Sequence, residues 1–373
     1  MTAPENTSEI LVLIVDDSRI FRNVIEKCLS DCPNIKVIGS VRNGVKALEF
    51  IKQKRPHIVT LDIEMPDMDG FQTQMELQRL NRNRKPGETP IGSIMVSGAH
   101  KEGAKITLDC LANGAFDFIE KPSTGGSPEA KMQNLQDQLV PRIKAYADRY
   151  IFKKKGRIPI TIPPKKITVP KPAADLNIKA LLIGVSTGGP KALMTLMPQI
   201  SQALVLPIFV VQHMPPNFTE SLAKSLDGVC MNHQVCEAGN MKAVQPNGMY
   251  IAPGGKHLIL KRGGSGEIMT AWDNSPPESG CRPSVNVLFR SAAKIYGGEV
   301  IVLILTGMGN DGAESISVLK EKGAKILVQD EASSVVWGMP GAAVATGIVD
   351  EIIPLGRISE RLSILSKSKG LLK

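Results

Sequence analysis

At 373 residues and 42% hydrophobic content, the chain is long enough for two or three domains with sizeable cores. Its longest apolar runs, such as Val300–Leu305, fall well short of the ~18–20 residues of a membrane span, and the polar start MTAPENTSEI lacks the regions of a signal peptide. The net charge of +9 owes much to one tract, Phe152–Pro172, with seven Lys/Arg and no acid; no helix-turn-helix or aromatic-interleaved basic platform accompanies it, so nucleic acid is not an expected partner.

Residues 10–122 alternate strand and helix. Strand-like runs at Ile10–Val15, Lys36–Val41, Ile58–Leu61, Ile91–Val96 and Ala115–Ile119 are separated by helical patterns, one ending near Ser30 and one over Gly44–Lys54. Five such units imply a parallel, doubly wound sheet, whose ligands sit at the carboxyl ends of the strands. At those ends stand Asp16 and Asp17, Asp62, Ser97, and Lys121-Pro122. Converging carboxylates repel unless a cation joins them, and an all-oxygen set favours Mg²⁺. A hydroxyl and an ammonium beside them suit the oxygens of a phosphoryl group, and one carboxylate can act as its acceptor. Taken singly, Asp16 and Asp17 also fit as helix N-caps and Lys121 as a surface charge.

The blocks VDDS (15–18), LDIEMPDMDG (61–70), MVSGAH (95–100) and EKP (120–122) resemble the receiver domain of two-component response regulators. The resemblance implies that Asp62 is the phosphoacceptor. It implies Mg²⁺ held by Asp16, Asp17, Asp62 and the Glu64 backbone carbonyl, Ser97 and Lys121 as phosphoryl contacts, and a cis Lys121–Pro122 bond.

Residues 126–150 read as a last helix, with Leu135, Leu139 and Ile143 on one side and a kink at Pro141. The Pro- and Lys-rich tract that follows cannot bury a face and reads as a stiff linker. Strand–helix alternation resumes at Ala180–Val185, which runs into Ser186-Thr187-Gly188-Gly189 and a helix from Pro190. That turn exposes a hydroxyl beside free helix N–H groups, as a nucleophile needs. On this stretch alone, a capping serine or a phosphate loop fits equally well. A second strand, Pro207–Gln212, delivers His213. MYIAP-GGK-HLIL reads as an antiparallel hairpin at an edge, and Val300–Leu305 leads into TGMGNDGA with Asp311. Ala324–Val328, a short strand near Ile352–Ile353 and a terminal helix complete the chain.

Ser186, His213 and Asp311 are therefore expected at the carboxyl ends of strands in one sheet, where a base can reach a hydroxyl and a carboxylate can orient the base. Two alternatives stay open. Asp311 could cap a helix starting near Ala313, and His257 with Asp227 would permit the Ser…Asp…His order of α/β-hydrolases.

GVSTGGP (184–190), VQHMP (211–215), YIAPG (250–254), CRPSV (281–285), LTGMGNDGA (305–313) and SSVVWGMPGAA (333–343) resemble the chemotaxis protein-glutamate methylesterases, response regulators with an esterase output domain. The resemblance implies Ser186, His213 and Asp311 as a triad, with backbone amides near Thr187 and Met308 binding the oxyanion. Its substrates would be glutamate γ-methyl esters, giving methanol, and glutamine amides, giving ammonia, on chemoreceptors. A chemotaxis histidine kinase would be the phosphodonor, and an unphosphorylated receiver would obstruct the hydrolase. Asn286 departs from the family pattern, which has an acid there. The expected architecture is α/β throughout. It comprises a five-stranded flavodoxin-like receiver over residues 9–125, a helix and linker over 126–176, and a Rossmann-like, mainly parallel methylesterase domain with an antiparallel hairpin over 177–373. No cofactor is expected for the ester chemistry. Six scattered cysteines without zinc-type spacing point to reduced thiols and a cytoplasmic protein. The protein is further expected to be a monomer and, lacking a membrane-length apolar run, not inserted in a membrane.

Overall fold

A computed structural model describes residues 9–122, 127–152 and 177–367. The chain divides into two compact units, residues 1–157 and 158–373. In the first, β1 (Ile10–Val15), α1 (Arg19–Ser30), β2 (Ile35–Val41), α2 (Gly44–Gln53), β3 (Ile58–Asp62), α3 (Gly70–Arg82), β4 (Gly92–Ser97), α4 (Lys101–Ala112), β5 (Asp117–Glu120) and α5 (Pro128–Tyr150) follow in turn. All neighbouring strands are parallel, in the order β2-β1-β3-β4-β5. Every residue of β3 and β4 is buried, which is why these strands read as continuous apolar runs rather than alternating ones.

Side-chain caps start the helices where the sequence turns polar. Ser18 Oγ accepts from the Phe21 N–H, Asn43 Oδ1 from Lys46, and Asp69 forms a capping box with Gln72. Helix α5 buries Leu135, Leu139 and Ile143, the face expected, and runs on through Pro141. It packs on α1, so it belongs to this unit's core. The Lys121–Pro122 bond is trans, contrary to expectation; among the described residues the cis bond is Arg282–Pro283. The basic tract expected as a linker lies largely outside the described residues.

The second unit contains β6 (Ala180–Val185), α6 (Gly189–Ala203), β7 (Ile208–Gln212), α7 (Phe218–Asp227), β8 (Gln234–Glu237), β9 (Lys242–Ala243), β10 (Gly248–Ile251), β11 (His257–Arg262), β12 (Ile268–Asp273), α8 (Val285–Ile295), β13 (Val300–Ile304), α9 (Ile316–Glu321), β14 (Lys325–Gln329), α10 (Met339–Ala345), β15 (Glu351–Ile353) and α11 (Ile358–Lys367). Seven strands form a parallel sheet in the order β15-β14-β13-β6-β7-β10-β8.

The expected hairpin over residues 246–260 is not formed. β10 pairs in parallel with β7 and β8, whereas β11 pairs with β12 in a separate antiparallel sheet that β9 completes. Gly254 explains the break in part. A Cβ there would lie 2.3 Å from the Pro215 carbonyl carbon, so the chain passes hard against that backbone as it leaves the sheet. The tight turn belongs instead to Gly263–Glu267, with Gly266 at positive φ and the Gly263 N–H bonded to the Glu267 carbonyl.

Helix α8 buries Val285, Leu288, Phe289, Ala292 and Ala293 in the core with Phe209, Tyr250, Val302 and Ile304. Each such large side chain contributes about 1.5–3 kcal/mol by leaving water. Two glycines let the first turn of α8 press close. A Cβ on Gly184 in β6 would meet Val285 at 2.7 Å, and one on Gly312 would meet it at 2.9 Å.

Candidate active site

The turn after β6 holds Ser186 half-buried at the carboxyl edge of the sheet. The Ser186 N–H donates to the Thr306 carbonyl, Gly188 takes positive φ as the N-cap of α6, and the Gly189 N–H donates back to the Ser186 carbonyl. Gly307 backs the turn, since a Cβ there would sit 2.8 Å from Ser186 Cβ. On the other side, the buried Gln212 amide donates from Nε2 to the Ser186 carbonyl at 3.0 Å. β6 and β7 are paired with Val185 opposite Gln212, so Ser186 and His213 leave adjacent strands at the next register position. The His213 N–H bonds the Val185 carbonyl and keeps the two turns together.

His213 Nε2 lies 2.8 Å from Asp311 Oδ2. That carboxylate is saturated with donors: Val285 N–H to Oδ2 at 2.6 Å, Ser284 Oγ–H to Oδ1 at 2.8 Å and Asn286 N–H to Oδ1 at 3.1 Å. Asp311 does cap a helix, but the helix is α8, which precedes it in sequence. The expected start near Ala313 is a turn, and α9 begins only at Ile316. Capping here serves orientation, because the N-terminal field of α8 holds a negative charge facing the imidazole. The His257–Asp227 alternative is excluded. His257 is buried between the Pro276 carbonyl and the Ser284 N–H, while Asp227 accepts from the Val235 N–H.

Burial works against a charge on His213, but the Asp311 carboxylate and the Cys281 thiol outweigh it and hold the imidazole proton up to about 9. Burial likewise pushes Asp311 up. The His213 hydrogen bond and charge, with the N–H groups of Val285 and Asn286, win and keep its carboxyl below the usual range. With Nε2 taken by Asp311, Nδ1 is the nitrogen left for a nucleophile, and it faces Cys281 Sγ at 3.5 Å. Among the described residues Ser186 Oγ makes no hydrogen bond of its own, so the structure joins His213 to Asp311 and only places Ser186 beside them. Thr187 and Met308 follow directly on Ser186 and Gly307.

In the first unit, the carboxylates of Asp16, Asp17 and Asp62 lie within 4.8 Å of one another at the carboxyl edge of the sheet. Lys121 Nζ bridges two of them, 2.9 Å from Asp16 Oδ2 and 2.8 Å from Asp62 Oδ2. Burial, then the Asp16 charge, push the Asp62 carboxyl up, and Lys121 only partly offsets them. Ser97 ends β4, one position past the residue paired with Asp62. Its hydroxyl donates to the Gly98 carbonyl, and the Glu64 side chain is engaged by His100.

Residues 181–362 match the CheB methylesterase family, and residues 12–130 match the response regulator receiver domain. A protein-glutamate methylesterase/protein-glutamine glutaminase of Trichodesmium erythraeum is 40% identical over 94% of this chain and 97% of its own length. The chain belongs to the CheB methylesterase family. It is an enzyme, a methylesterase carrying a response-regulator receiver domain ahead of its hydrolase domain. A relative of the same description from Treponema denticola is 39% identical over 96% of this chain and 99% of its own. The crystal structure of the Thermotoga maritima CheB methylesterase catalytic domain shares 39% identity and covers 50% of this chain and 98% of that one, with a TM-score of 0.48. No helix among the described residues is long and apolar enough to cross a membrane.

Three residues of this candidate site escaped the sequence reading. Gln212 carried a signal in its place, a polar residue closing an apolar strand just before the base. Ser284 carried one as the residue entering α8, although its hydroxyl donates to Asp311 instead of capping its own helix. Cys281 carried none, because only the folded loop brings its thiol to His213.

Proposed function

We propose that this chain hydrolyses glutamate γ-methyl esters, and deamidates glutamines, on methyl-accepting chemoreceptors, with Ser186 as nucleophile, His213 as base and Asp311 as its orienting carboxylate. The reading rests above all on one observation. A His213–Asp311 pair, anchored on the first turn of α8, leaves the strand beside that of Ser186, a half-buried serine on a glycine turn at the matching register position. Asp311 keeps the proton on Nε2, so Nδ1 is the basic nitrogen. His213 Nδ1 takes the Ser186 proton as Oγ attacks the ester carbonyl, and the Cys281 thiol gives up its place to the hydroxyl. The N–H groups of Thr187 and Met308 receive the oxyanion. The tetrahedral intermediate collapses as the imidazolium protonates the methoxy group, which leaves as methanol. Water then enters by the same base and frees the glutamate, and with a glutamine substrate the leaving group is ammonia.

The receiver regulates this chemistry. Asp62 accepts a phosphoryl group from a chemotaxis histidine kinase, and Lys121 and Ser97 contact the phosphoryl oxygens. The carboxylates of Asp16, Asp17 and Asp62 and the Glu64 carbonyl suit Mg²⁺, a hard cation that takes oxygen ligands. When bound, that ion would neutralise charge on the incoming phosphoryl group. Phosphorylation relieves an obstruction of the esterase by the receiver, whose core extends past the expected boundary at residue 125 to include α5, with the hydrolase over 177–373. The protein acts in the cytoplasm as a monomer.

The test is methanol release from methylated receptor, together with labelling by a serine-directed phosphonate. Wild type should take the label on Ser186 and release methanol. Ser186→Ala and His213→Ala should lose turnover while keeping Asp62 phosphorylation. Near-wild-type turnover in a well-folded Ser186→Ala protein would falsify the triad.

A further inference from the structure

Asn286 is buried, at 1% exposure, and it joins three segments. Its backbone N–H donates to Asp311 Oδ1 at 3.1 Å. Its side-chain Oδ1 accepts from the N–H groups of Gly312 at 3.1 Å and Ser315 at 3.2 Å, so it holds the chain on the far side of Asp311. Its Nδ2 donates to Ser279 Oγ at 3.4 Å, in the loop that carries Cys281. Two backbone donors fix the amide's orientation. An aspartate would fit the same space: one oxygen would still accept both N–H groups, and the other would face a hydroxyl able to turn and donate. Only the charge separates the two residues here.

That charge would matter, because it would be buried beside the carboxylate that faces His213. The titratable and charged groups nearby are few. Asp311 and Glu314 lie after β13, Glu278, Cys281 and Arg282 before α8, Arg290 on α8, His257 on β11 and His213 after β7. Arg290 forms a two-pronged ion pair with Glu278 and donates to Ser315 Oγ, Arg282 turns outward onto the Asn274 and Ser275 carbonyls, and His257 is held by neighbouring backbone groups. No cation is left over among these to answer a second carboxylate at position 286.

We infer that Asn286 is a positioning residue of the esterase, which pins the Asp311 loop to α8 with an uncharged side chain and thereby limits how high the pH must rise before His213 is free to act as a base. The inference rests on the proposed roles of Ser186, His213 and Asp311. A second buried carboxylate would stabilise the imidazolium, and the enzyme would then need a higher pH to free its base.

The experiment compares pH profiles of kcat/KM for demethylation by full-length wild type, Asn286→Asp and Asn286→Ser, with melting temperatures alongside. The His213 imidazole is also titrated directly by NMR in each protein. In Asn286→Asp the acid limb and the imidazole titration should both move up by about one unit, so that kcat/KM falls about tenfold at a pH below the limb. Asn286→Ser, short and neutral, should leave the limb in place and lower kcat. Coincident limbs for wild type and Asn286→Asp would overturn the inference, as would a shifted limb in Asn286→Ser. Ser186→Ala run in parallel separates the two claims. If it is inactive while the limbs coincide, only the role of Asn286 falls; if it is active, the triad itself is wrong.

Discussion

Asp311→Asn places an amide where four donors now meet. Oδ2 receives His213 and the Val285 N–H, and Oδ1 receives Ser284 Oγ–H and the Asn286 N–H. The variant has one acceptor and one donor to distribute, so there are two ways to seat it. With its NH₂ at the Oδ2 site, it opposes the Val285 N–H and forces His213 Nε2 to accept. The imidazole proton then moves to Nδ1 and no base faces Ser186. With its NH₂ at the Oδ1 site, the useful tautomer survives, Ser284 can rotate to accept, and the Asn286 N–H is left facing another N–H. Either seating leaves one buried backbone donor unpaired, which costs about 1–3 kcal/mol of stability. The catalytic loss has a floor, because even the favourable seating forfeits a charge-assisted hydrogen bond to the imidazolium, worth about 1.5–3 kcal/mol, or roughly 10–100-fold in rate. The wrong tautomer carries it toward the ~10⁴ of the serine-protease template. The assay is methanol release under saturating substrate, with thermal melts alongside. A change within about threefold, in a protein that still needs His213, would refute the assignment and leave Asp311 as a helix cap only.

The raised proton affinity of His213 makes two expectations. Its imidazole must be neutral to accept a proton, so kcat/KM should climb with pH toward about 9, and a profile flat from pH 6 to 9 would contradict the assignment of His213 as the base. Because the folded value lies above the unfolded one, protonation stabilises the fold. That contribution is complete below about 6.5 and is lost as pH rises through about 9, so thermal melts of wild type, but not of His213→Gln, should show this decline. Asp62→Asn should abolish acyl-phosphate formation from a small-molecule donor. EDTA should do the same to wild type, reversibly on adding Mg²⁺, and phosphorylation unchanged by EDTA would remove the cation from the receiver site. Gly307→Ala would set a methyl 2.5 Å from Met339 Sδ and 2.8 Å from Ser186 Cβ. Its kcat should fall at least about tenfold with little change in KM, since small misplacements of reacting groups are costly. Adding Met339→Ala should recover melting temperature more than rate, and full recovery of rate would argue that Ser186 had not moved.

Both sheets were legible because their central strands are buried on two faces and announce themselves as apolar runs with a polar residue at each carboxyl end. Asp16, Asp62, Ser186 and His213 could be placed on that basis alone. Long-range fit was not legible. The residues after β10 alternate like half of a hairpin, yet Gly254 has to clear the Pro215–Pro216 backbone, and no local pattern records that demand. Asp311 looked ready to cap the next helix, whereas the donors that claim it stand on α8, some 25 residues earlier in sequence. Which imidazole nitrogen faces the acid, and the thiol against the other one, depend on how the loop before α8 settles beneath β11 and β12. Asn286 stood out in the sequence as a departure, but its meaning came only from the two N–H groups it accepts.

Ser186 and His213 leave neighbouring strands early in the hydrolase half, but Asp311 follows His213 by 98 residues, in the turn after β13, the strand that inserts next to β6. A ribosome needs roughly 5–20 s to make that stretch. Throughout that interval the growing chain holds the proposed nucleophile and base without the carboxylate proposed to fix the tautomer, and β6 lacks its β13 neighbour. On the proposed roles, a nascent chain that ends before β13 holds no complete triad and would not yet hydrolyse esters. A stalled or clipped product ending before β13 could still carry a phosphorylatable receiver, but it would compete for phosphoryl groups without removing a single methyl.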